Sequence, residues 1–481
     1  MKSAIILAVL ITVLALSALH ATEGDKPKIK FTEFGLGKML VRSVQRPGET
    51  RADKAVPSHP NAMRLSRDVW MILFGTRMFT GTDDDRSIYC QLRRGQVDGP
   101  LIRERVLALE GGNWASLGRD DIRKVQGTPT GFGVPKGAYF NGRPAPNANV
   151  FMVKWYTYPK LRLGGRNVDP KTVNDRKQAP DAKLLQELAG QVHLESLQFR
   201  LNDAEDDIEI LQEARMLRQR GFEDAKFPCE HAFSMNHSMM PPKPVDANCE
   251  RWMELDQFGN RIFDCRLAAV LFQFNRDKTL YEWVKTGPLS PMIKGGDFAP
   301  IESSLNRIGD DWIICARCYG GQGQTIWFRV KDPLNKWSEP IVRDEPGDHA
   351  HKTASVCADG VLRVFAHDRA ASPRNEHRHP LYCWDVNLDD FTVFNRRLVF
   401  DAHEMGLPLK YPFVDCPKVL PAGGGKQFLG FRVLTPLKWH IIPNYPAALT
   451  SAEFDVLGGH VAEMKYDGPV PDEWDFGQET R

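Results

Sequence analysis

The sequence carries almost no excess charge of either sign. Across its 481 residues, 63 lysines and arginines stand against 61 aspartates and glutamates, which leaves a formal net charge of +2. A protein that binds nucleic acid through electrostatics needs a clear excess of basic residues, so this balance gives no reason to expect such a partner. Charged residues make up 26% and hydrophobic residues 42% of the chain, which is typical of a folded globular protein and argues against wholesale disorder.

Long apolar runs are absent after the first twenty residues, so no later segment is predicted to span a bilayer. The exception is the run 4–19, which follows the positive charge of Lys2 and ends near a small-residue cleavage region at 17–21. This pattern predicts a signal peptide over residues 1–21, with an uncleaved anchor as the alternative. We therefore expect a secreted or periplasmic protein that has no membrane span after signal removal.

Cysteines are too few for a disulfide-stabilised scaffold in a chain of this length. There are nine, an odd number, so at least one has no partner within the chain. Cys315 and Cys318 have the CxxC spacing of redox and zinc sites, but they lie in a strand-like run, where an offset of three directs the two sulfurs to opposite faces. No second CxxC completes a zinc site, so we predict structural cysteines.

Strand-like runs separated by hairpin turns recur along the chain. Units begin near residues 61, 302, 352 and 416, and Asp-Gly or Gly-rich pairs stand between their apolar runs. These positions are compatible with a period of about 50 to 60 residues, which is typical of propeller blades that close radially. We therefore predict an all-β fold, a six-bladed β-propeller that forms a single domain over residues 22–481.

The segment 160–225 breaks this repeat and is predicted to be a helical insertion between blades. Residues 204–221 carry apolar side chains close to one helical face, acids in the first turn and arginines in the last, an order that suits the helix dipole. Residues 181–189 predict a second, shorter helix, whereas 197–201 alternate like a strand. A structural role is the favoured interpretation of the insertion, and partner docking is the alternative.

Acidic, basic and phenolic side chains recur at equivalent ends of these strand-like runs. In a propeller such ends converge on the central axis, so groups far apart in sequence are expected to meet there. The candidate site residues are Asp83, Glu302, Tyr411, Arg77, Arg317 and Arg378. Structural alternatives stay open for each of them, including ion pairing for the arginines and a solvated turn or calcium loop at residues 83–85.

The spacing of these residues resembles that of the sialidase (neuraminidase-like) superfamily. Glu302 and Arg317 are 15 positions apart, and Arg378 and Tyr411 are 33 apart, similar to the family pattern for its glutamate, two of its arginines and its tyrosine. The resemblance implies a six-bladed β-propeller with degenerate repeats.

The same resemblance extends over residues 58–100 and 298–435, where Arg77 followed by Asp83 is similar to a first-blade arginine and acid/base aspartate. Within it, 330–340 resembles an eroded Asp-box, the turn also called a BNR repeat. The chain departs from the family near the start of the match, since Ser-His-Pro stands where the family has Arg-Ile-Pro, and no Asp-box is intact.

The resemblance implies a glycoside hydrolase, an exo-sialidase-like enzyme that removes a terminal acidic sugar with retention. It implies that Glu302 polarises Tyr411 as the nucleophile and that Asp83 is the acid/base group. It also implies an arginine clamp for the sugar carboxylate, with Arg77, Arg317 and Arg378 as the substrate-binding residues. The first arginine of the family's three is missing at its usual place, where Ser58 stands, and Arg42, Arg46 and Arg51 are open as replacements. A tyrosinate suits this substrate, because its diffuse charge is repelled less by the sugar carboxylate than a carboxylate nucleophile would be. The fork of an arginine can bind both oxygens of that carboxylate.

Histidines form a second cluster, in the pairs His349/His351 and His377/His379. An HxH pair on a strand puts both rings on one face, an arrangement found in metal sites and polysaccharide lyases. These pairs lie in loop-like sequence without an acidic ligand at fixed spacing, so we predict no metal and no cofactor, and leave a structural calcium ion open. His367 is a further candidate for lining the pocket.

Two other functions stay open alongside the hydrolase. One is a non-catalytic propeller that binds glycans, and the other is a propeller hydrolase or lyase acting on another polysaccharide. The expected partner of the leading hypothesis is a glycan or glycoconjugate, and no charge pattern points to nucleic acid.

Overall fold

The computed structural model shows a chain built almost entirely of β-strands. It describes residues 29–42, 55–78, 85–109, 132–141, 149–163, 166–168, 193–216, 243–245, 250–258, 265–293, 298–320, 323–348, 350–368, 370, 372, 378–435 and 450–472. Within these residues the strands form six small antiparallel sheets, which are called blades one to six below in chain order. Residues 1–28, which hold the predicted signal peptide, lie outside this range, so the signal peptide stays a prediction.

The first three blades follow one another along the chain. Blade one consists of β3 (Ala55–Arg64), β4 (Val69–Met78), β5 (Asp85–Arg94) and β6 (Leu101–Leu109). Blade two consists of β7 (Phe132–Asn141), β8 (Phe151–Leu163), β10 (His193–Leu201) and β11 (Ile208–Met216), with β9 (Arg166–Val168) paired to β8. Blade three consists of β12 (Lys243–Pro244), β13 (Arg251–Phe258), β14 (Arg266–Asn275) and β15 (Leu280–Thr286).

The last three blades complete the circle. Blade four consists of β16 (Ala299–Ile308), β17 (Asp311–Tyr319), β18 (Thr325–Val330) and β19 (Ile341–Arg343). Blade five consists of β20 (Thr353–Val356), β21 (Leu362–His367), β22 (Leu381–Val386) and β23 (Val393–Phe400). Blade six consists of β24 (Phe413–Val419), β25 (Gln427–Leu434) and β26 (Gly458–Tyr466), with β1 (Phe31–Phe34) and β2 (Lys38–Arg42) both paired to β26. A short helix, α1 (Ser451–Asp455), precedes β26.

The hydrophobic core is divided among the spaces between neighbouring blades. Since strand residues alternate between the two faces of a sheet, each blade must cover both faces with its neighbours. In β17, Ile314 and Cys318 pack towards blade three, whereas Ile313 and Cys315 pack towards blade five. Comparable buried clusters lie between every other adjacent pair, including blades six and one. The ring is therefore closed, and the six-bladed β-propeller and the opposite faces of the CxxC sulfurs are both confirmed.

Two N-terminal strands close this ring by completing the last blade. β1 pairs with β26 near Tyr466, and β2 pairs with its beginning near Gly458. Phe31 of β1 also reaches blade five, where the Arg363 and Arg397 guanidinium groups lie 4.9 and 5.4 Å from the centre of its ring. The first described strand thereby ties blade six to blade five as well as to the C-terminal strand.

The predicted helical insertion is wrong for the residues that the structure describes. Residues 208–216 form a strand that pairs with β10, and the two are among the five strands of blade two. Period two governs this stretch, because Ile208 is buried and Leu211 is 37% exposed. The acids assigned to a first helical turn form the hairpin connection, where the side-chain oxygen of Asn202 accepts from the backbone of Asp206 and Asp207. The strand predicted at 197–201 is confirmed, while 181–189 and 217–221 lie outside the described residues.

The segment 330–340, predicted to be an eroded Asp-box, connects β18 to β19. The Asp332 carboxylate accepts a hydrogen bond of 3.0 Å from the backbone N–H of Leu334, which folds the turn. Trp337 is buried against Phe328, and its indole donates to the Pro288 carbonyl over 2.8 Å. An acidic side chain thus shapes the turn while an aromatic one anchors it to blade three. The assignment of this segment as a BNR repeat stays a prediction.

No helix among the described residues is both long and apolar enough to cross a membrane.

Replacing Phe31 by alanine is expected to weaken closure of the ring. The phenyl ring of Phe31 packs against Phe34 and Tyr466 and lies under the guanidinium groups of Arg363 and Arg397. Its partial burial predicts a loss of about 2 kcal/mol in the free energy of unfolding, measured by chemical denaturation. Leu36→Ala is the control, because Leu36 is 85% exposed and its loss should change stability by less than about 0.5 kcal/mol. Equal stability of the two variants would contradict the proposed role of Phe31.

Candidate functional site

One end of the ring gathers the polar groups that are buried near the innermost strands. The first strand of each blade begins at this end, the second ends there and the third begins there, because neighbouring strands are antiparallel. In blade four this places Glu302, near the start of β16, beside Arg317, near the end of β17. The Arg317 Nη1 atom donates to Glu302 Oε2 over 2.9 Å, and the two side chains are only 14% and 6% exposed.

His351 lies between this pair and blade six. It comes just before β20, the first strand of blade five, which packs between β16 and β24. Its Nε2 atom is 2.7 Å from Glu302 Oε1, and its Nδ1 atom is hydrogen-bonded to Asp415 Oδ1. The ring therefore bridges two carboxylates that belong to different blades.

Asp415 is the most deeply buried carboxylate of the site, with a side chain that is 1% exposed. Its second oxygen, Oδ2, accepts from Arg378 over 2.7 Å and from Arg432 over 2.8 Å. Arg432 lies directly opposite Asp415 in the pairing of β24 and β25, while Arg378 comes from the segment before β22. Three cationic side chains from three places in the fold thus converge on one aspartate.

The electrostatics of the cluster keep its members charged. Burial alone would raise the pKa of the Glu302 carboxyl, but the positive charges of Arg317 and His351 outweigh it and hold that pKa below its usual range. Burial likewise opposes ionisation of Asp415, whose pKa is nevertheless held well below its ordinary value by Arg378 and His351. Burial would lower the pKa of His351, yet Asp415, Cys416 and Glu302 raise it well above its usual value.

The backbone at the site adopts conformations that side chains rarely tolerate. The φ angles of Glu302 and Cys416 are both +52°, and that of Arg378 is +58°. Glu302 and Cys416 lie where the pairing register of β16 and β24 shifts, so a bulge in the first strand turns the chain at the same height in two blades. Such left-handed conformations cost about 1–3 kcal/mol each for non-glycine residues and cluster at functional sites.

Buried polar groups surround this network on the side of blade five. Lys352 is fully buried and donates to the carbonyls of Gly323 and Pro346, and burial lowers the pKa of its ammonium group to about 8. His367 ends β21, donates from Nδ1 to the Pro380 carbonyl over 3.0 Å, and has its pKa lowered by burial. His351 and His367 are therefore biased towards opposite protonation states. The prediction that His367 lies near the site agrees with its electrostatic contact with Asp415.

The structure brings three of the six predicted site residues into one network. Glu302, Arg317 and Arg378 are linked through His351 and Asp415.

The structure describes two of the other three predicted site residues, which are Tyr411 and Arg77. Tyr411 is half-buried in the segment that leads to β24, with the Lys410 ammonium group 5.3 Å from the centre of its ring. Arg77 lies near the end of β4, opposite Asp85, and Asp83 lies outside the described residues. The catalytic and substrate-binding roles of all six residues stay predictions.

Only His351 and His379 of the two histidine pairs lie in the described range, so the prediction that the pairs bind no metal stays a prediction. Donor atoms of His351, Asp415 and Cys416 come within 4.8 Å of one another. However, both ring nitrogens of His351 face carboxylates and Asp415 already accepts from two arginines, so this donor set does not suit a divalent cation. His379 instead accepts from the backbone N–H of Ala402 over 2.9 Å, and His349 and His377 lie outside the described range.

Sequence reasoning missed Asp415 and Arg432. The signal that could have found them is the repeat itself, because overlaying the bulge of blade six on that of blade four aligns Arg432 with Arg317. Each of these arginines lies opposite the residue that precedes the bulge, which is Ile301 in blade four and Asp415 in blade six. The signal for Asp415 is therefore that blade six has an aspartate at the position where blade four has the apolar Ile301.

Comparisons with known proteins find relatives by structure and not by sequence. No family model matches the chain, and no curated protein matches it. The sialidase of Trypanosoma rangeli, solved as a covalent intermediate with 2,3-difluorosialic acid, superposes with a TM-score of 0.50 and 9% identity over 91% of this chain. This chain covers 59% of that sialidase.

Two other solved structures are similar at slightly lower scores. A protein of unknown function from Dyadobacter fermentans has a TM-score of 0.49 and 8% identity. The match covers 91% of this chain and 98% of the Dyadobacter fermentans chain. A K499G mutant of the NanB sialidase from Streptococcus pneumoniae has a TM-score of 0.49 and 9% identity. The match covers 90% of this chain and 70% of the NanB chain. At such identities the likeness concerns the fold alone, and this chain has the sialidase-like six-bladed propeller fold.

Replacing Asp415 by asparagine is expected to destabilise the protein in a pH-dependent way. The change leaves the buried charges of His351, Arg378 and Arg432 without their shared carboxylate, at a cost of about 3–5 kcal/mol. Because the folded-state pKa of Asp415 is depressed, its stabilising effect is complete above the unfolded pKa near 3.9 and is lost as the pH falls through the folded-state value.

Denaturation of wild type and variant between pH 7 and pH 3 measures this effect. The deficit should be full at neutral pH and should shrink only in the acid range. The exposed Asp389→Asn substitution is the control and should change little at any pH. A deficit of less than about 1 kcal/mol at pH 7 would contradict the role of Asp415.

Proposed function

We propose that this chain is an exported glycoside hydrolase that removes a terminal acidic sugar from a glycan or glycoconjugate. The observation that carries the proposal is the pair Arg317 and Arg378, from neighbouring blades, each held by a buried carboxylate at the same end of the ring. Their side chains are 14% and 17% exposed, whereas Asp415 behind them is 1% exposed. The arginines thus form the accessible side of a buried network.

The charge of the network favours an anionic ligand. Among the described residues, four positive groups, Arg317, Arg378, Arg432 and the His351 ring, stand against three carboxylates, which are those of Glu302, Asp415 and the buried Asp348 that acts on Arg317. An excess of cations in a poorly solvated site attracts anions, and arginine suits carboxylates through its paired N–H donors. Buried Nε atoms of Arg317 and Arg378 have no hydrogen-bond partner among the described residues, so each guanidinium has donor capacity left.

The proposed reaction is a double displacement at the anomeric carbon. Asp83 donates a proton to the departing glycosidic oxygen while the Tyr411 oxygen attacks the anomeric carbon and its proton passes to Glu302. Water, activated by Asp83, then breaks the tyrosyl–sugar bond, and the Tyr411 oxygen recovers its proton from Glu302. Two inversions give overall retention. A sugar carboxylate held by Arg77, Arg317 and Arg378 would fix the anomeric carbon for attack, as 2,3-difluorosialic acid is bound covalently in the Trypanosoma rangeli sialidase.

A second candidate function is a glycan-binding propeller without catalysis. It is favoured by the state of Glu302, whose two oxygens already bind Arg317 and His351 and whose pKa is held low. A carboxylate so stabilised is a weak base for a tyrosine hydroxyl. The lyase alternative has less support, because His351 faces two carboxylates and keeps its proton, which makes it unsuited as a base at neutral pH.

Binding of an acidic sugar tests the arginine pair. Arg317→Ala and Arg378→Ala should each weaken binding of N-acetylneuraminic acid by roughly 10- to 100-fold, because each removes a charge-assisted hydrogen bond. Isothermal titration calorimetry measures the affinity. Arg276→Ala is the matched control, since Arg276 is an exposed arginine of the β14–β15 turn at the opposite end of the ring. Unaltered affinity in both site variants would contradict the proposed binding site.

Turnover of a fluorogenic sialoside separates the hydrolase from the glycan-binding alternative. Tyr411→Phe and Glu302→Gln should each reduce kcat by roughly 100-fold or more, because they remove the nucleophile and its proton acceptor. Full activity in both variants would contradict the nucleophile pair. Binding of the sialoside by the wild type without turnover would favour the non-catalytic function. Loss of activity on adding a chelator would point instead to a metal-dependent reaction.

A further inference from the structure

A continuous chain of ion pairs connects the two arginines proposed to bind the acidic sugar. Arg317 Nη1 donates to Glu302 Oε2 over 2.9 Å, and Glu302 Oε1 lies 2.7 Å from His351 Nε2. His351 Nδ1 bonds to Asp415 Oδ1, and Asp415 Oδ2 accepts from Arg378 Nη1 over 2.7 Å. Each link uses a different atom, so no group in the chain serves two neighbours through one contact.

We propose that His351 and Asp415 are positioning residues that hold the guanidinium groups of Arg317 and Arg378 as one carboxylate-binding pair. The proposal rests on the acidic-sugar function argued above and adds to it the device that fixes the two arginines. Neither residue needs to touch the sugar, because His351 and Asp415 are 7% and 1% exposed and lie behind the arginine side chains.

The hydrogen-bond pattern requires His351 to carry a positive charge. A neutral imidazole has one N–H donor and one lone pair, whereas both ring nitrogens here face carboxylate oxygens. Only the doubly protonated ring donates to both. The groups that face it are Glu302 from blade four and Asp415 and Cys416 from blade six, with the Cys416 sulfur 3.4 Å from Nδ1.

Two members of this chain of ion pairs, Glu302 and Arg378, are also held through their backbones, independently of any ligand. The backbone N–H of Glu302 donates to the Gln257 side chain over 2.6 Å, which anchors it to blade three. The Arg378 carbonyl accepts from the backbone N–H of Val414 over 2.9 Å, which anchors the segment before β22 to blade six. Arg432 occupies Oδ2 of Asp415 from the side, so that carboxylate cannot rotate without breaking a second ion pair.

Replacing His351 should leave the guanidinium groups of Arg317 and Arg378 less firmly positioned relative to each other. In His351→Gln a single amide cannot donate to two carboxylates in the same way, so Glu302 and Asp415 lose their bridge. We expect the KM for a fluorogenic sialoside, and the dissociation constant for N-acetylneuraminic acid, to rise roughly 10- to 100-fold. Loss of the nearby positive charge should also raise the pKa of Glu302, which moves the acidic limb of the kcat/KM profile to higher pH.

A second buried histidine provides the control. His460 on β26 is 4% exposed and bonds through Nε2 to the Val456 carbonyl over 3.0 Å, and burial lowers its pKa to about 4. His460→Gln removes a buried imidazole of blade six without interrupting the ion-pair chain. It should leave KM and the pH profile as in the wild type. An equal effect of both histidine variants would mean that His351 acts only through packing and would overturn the proposal.

Nuclear magnetic resonance of the full chain, labelled on histidine and arginine, tests the proposal without a substrate. In the wild type at pH 8, both ring nitrogens of His351 should be protonated, and the Nη protons of Arg317 and Arg378 that donate to Glu302 and Asp415 should exchange slowly. In His351→Gln these arginine protons should exchange much faster. A His351 ring that loses its proton near pH 6.5, or arginine protons unaffected by the variant, would overturn the proposal.

The two readouts separate failure of this proposal from failure of the proposed function. If the wild type binds no acidic sugar but the arginine protons respond to His351→Gln, the proposed function is wrong and the positioning role is supported. If the sugar binds and His351→Gln leaves affinity, KM and the arginine protons unchanged, the function stands and the positioning role is wrong. If His351→Gln does not fold, the protonation of His351 in the wild type still tests the positioning role. A doubly protonated ring at pH 8 supports that role, and a ring that loses its proton near pH 6.5 overturns it.

Discussion

Closure of the ring is the constraint on which the rest of this structure depends. Each blade has two apolar faces, and a sheet with two such faces is buried only when it has a neighbour on both sides. The clusters between successive blades meet this requirement, including the one that joins blade six to blade one. Closure also brings equivalent strand ends together at the axis. Packing of blades four, five and six side by side brings Glu302, His351 and Asp415 from three separate sheets into one network.

The ion pairs at the axis stabilise buried charges and also hold neighbouring blades together. Buried carboxylates are unfavourable unless they are paired, and here Asp415 has three cationic partners and Glu302 has two. These partners come from blades four, five and six and from the segment before β22, so the ion pairs also fix neighbouring blades relative to one another. Arg317 and Arg378 are the more exposed members of this network, and under the proposed function they would receive the anion.

Local patterns in the sequence predicted the repeat but not the contacts between repeats. Alternation and hairpin turns located the strands of blades four to six, and the offset between Cys315 and Cys318 correctly indicated opposite faces. The same reasoning failed at 208–216, where acids before an apolar stretch and arginines after it imitate a helix while the strand β10 supplies the true partner. Asp415 carried no local signal, because its partners Arg378, Arg432 and His351 are recruited by tertiary structure.

The central claim is that the axial cluster receives the carboxylate of an acidic sugar. A crystal structure of the protein soaked with N-acetylneuraminic acid tests this most directly. The account predicts the sugar carboxylate within hydrogen-bond distance of both Arg317 and Arg378, with His351 still bridging Glu302 and Asp415. Density for the sugar elsewhere on the ring, or Arg317 and Arg378 too far apart to share one carboxylate, would contradict it.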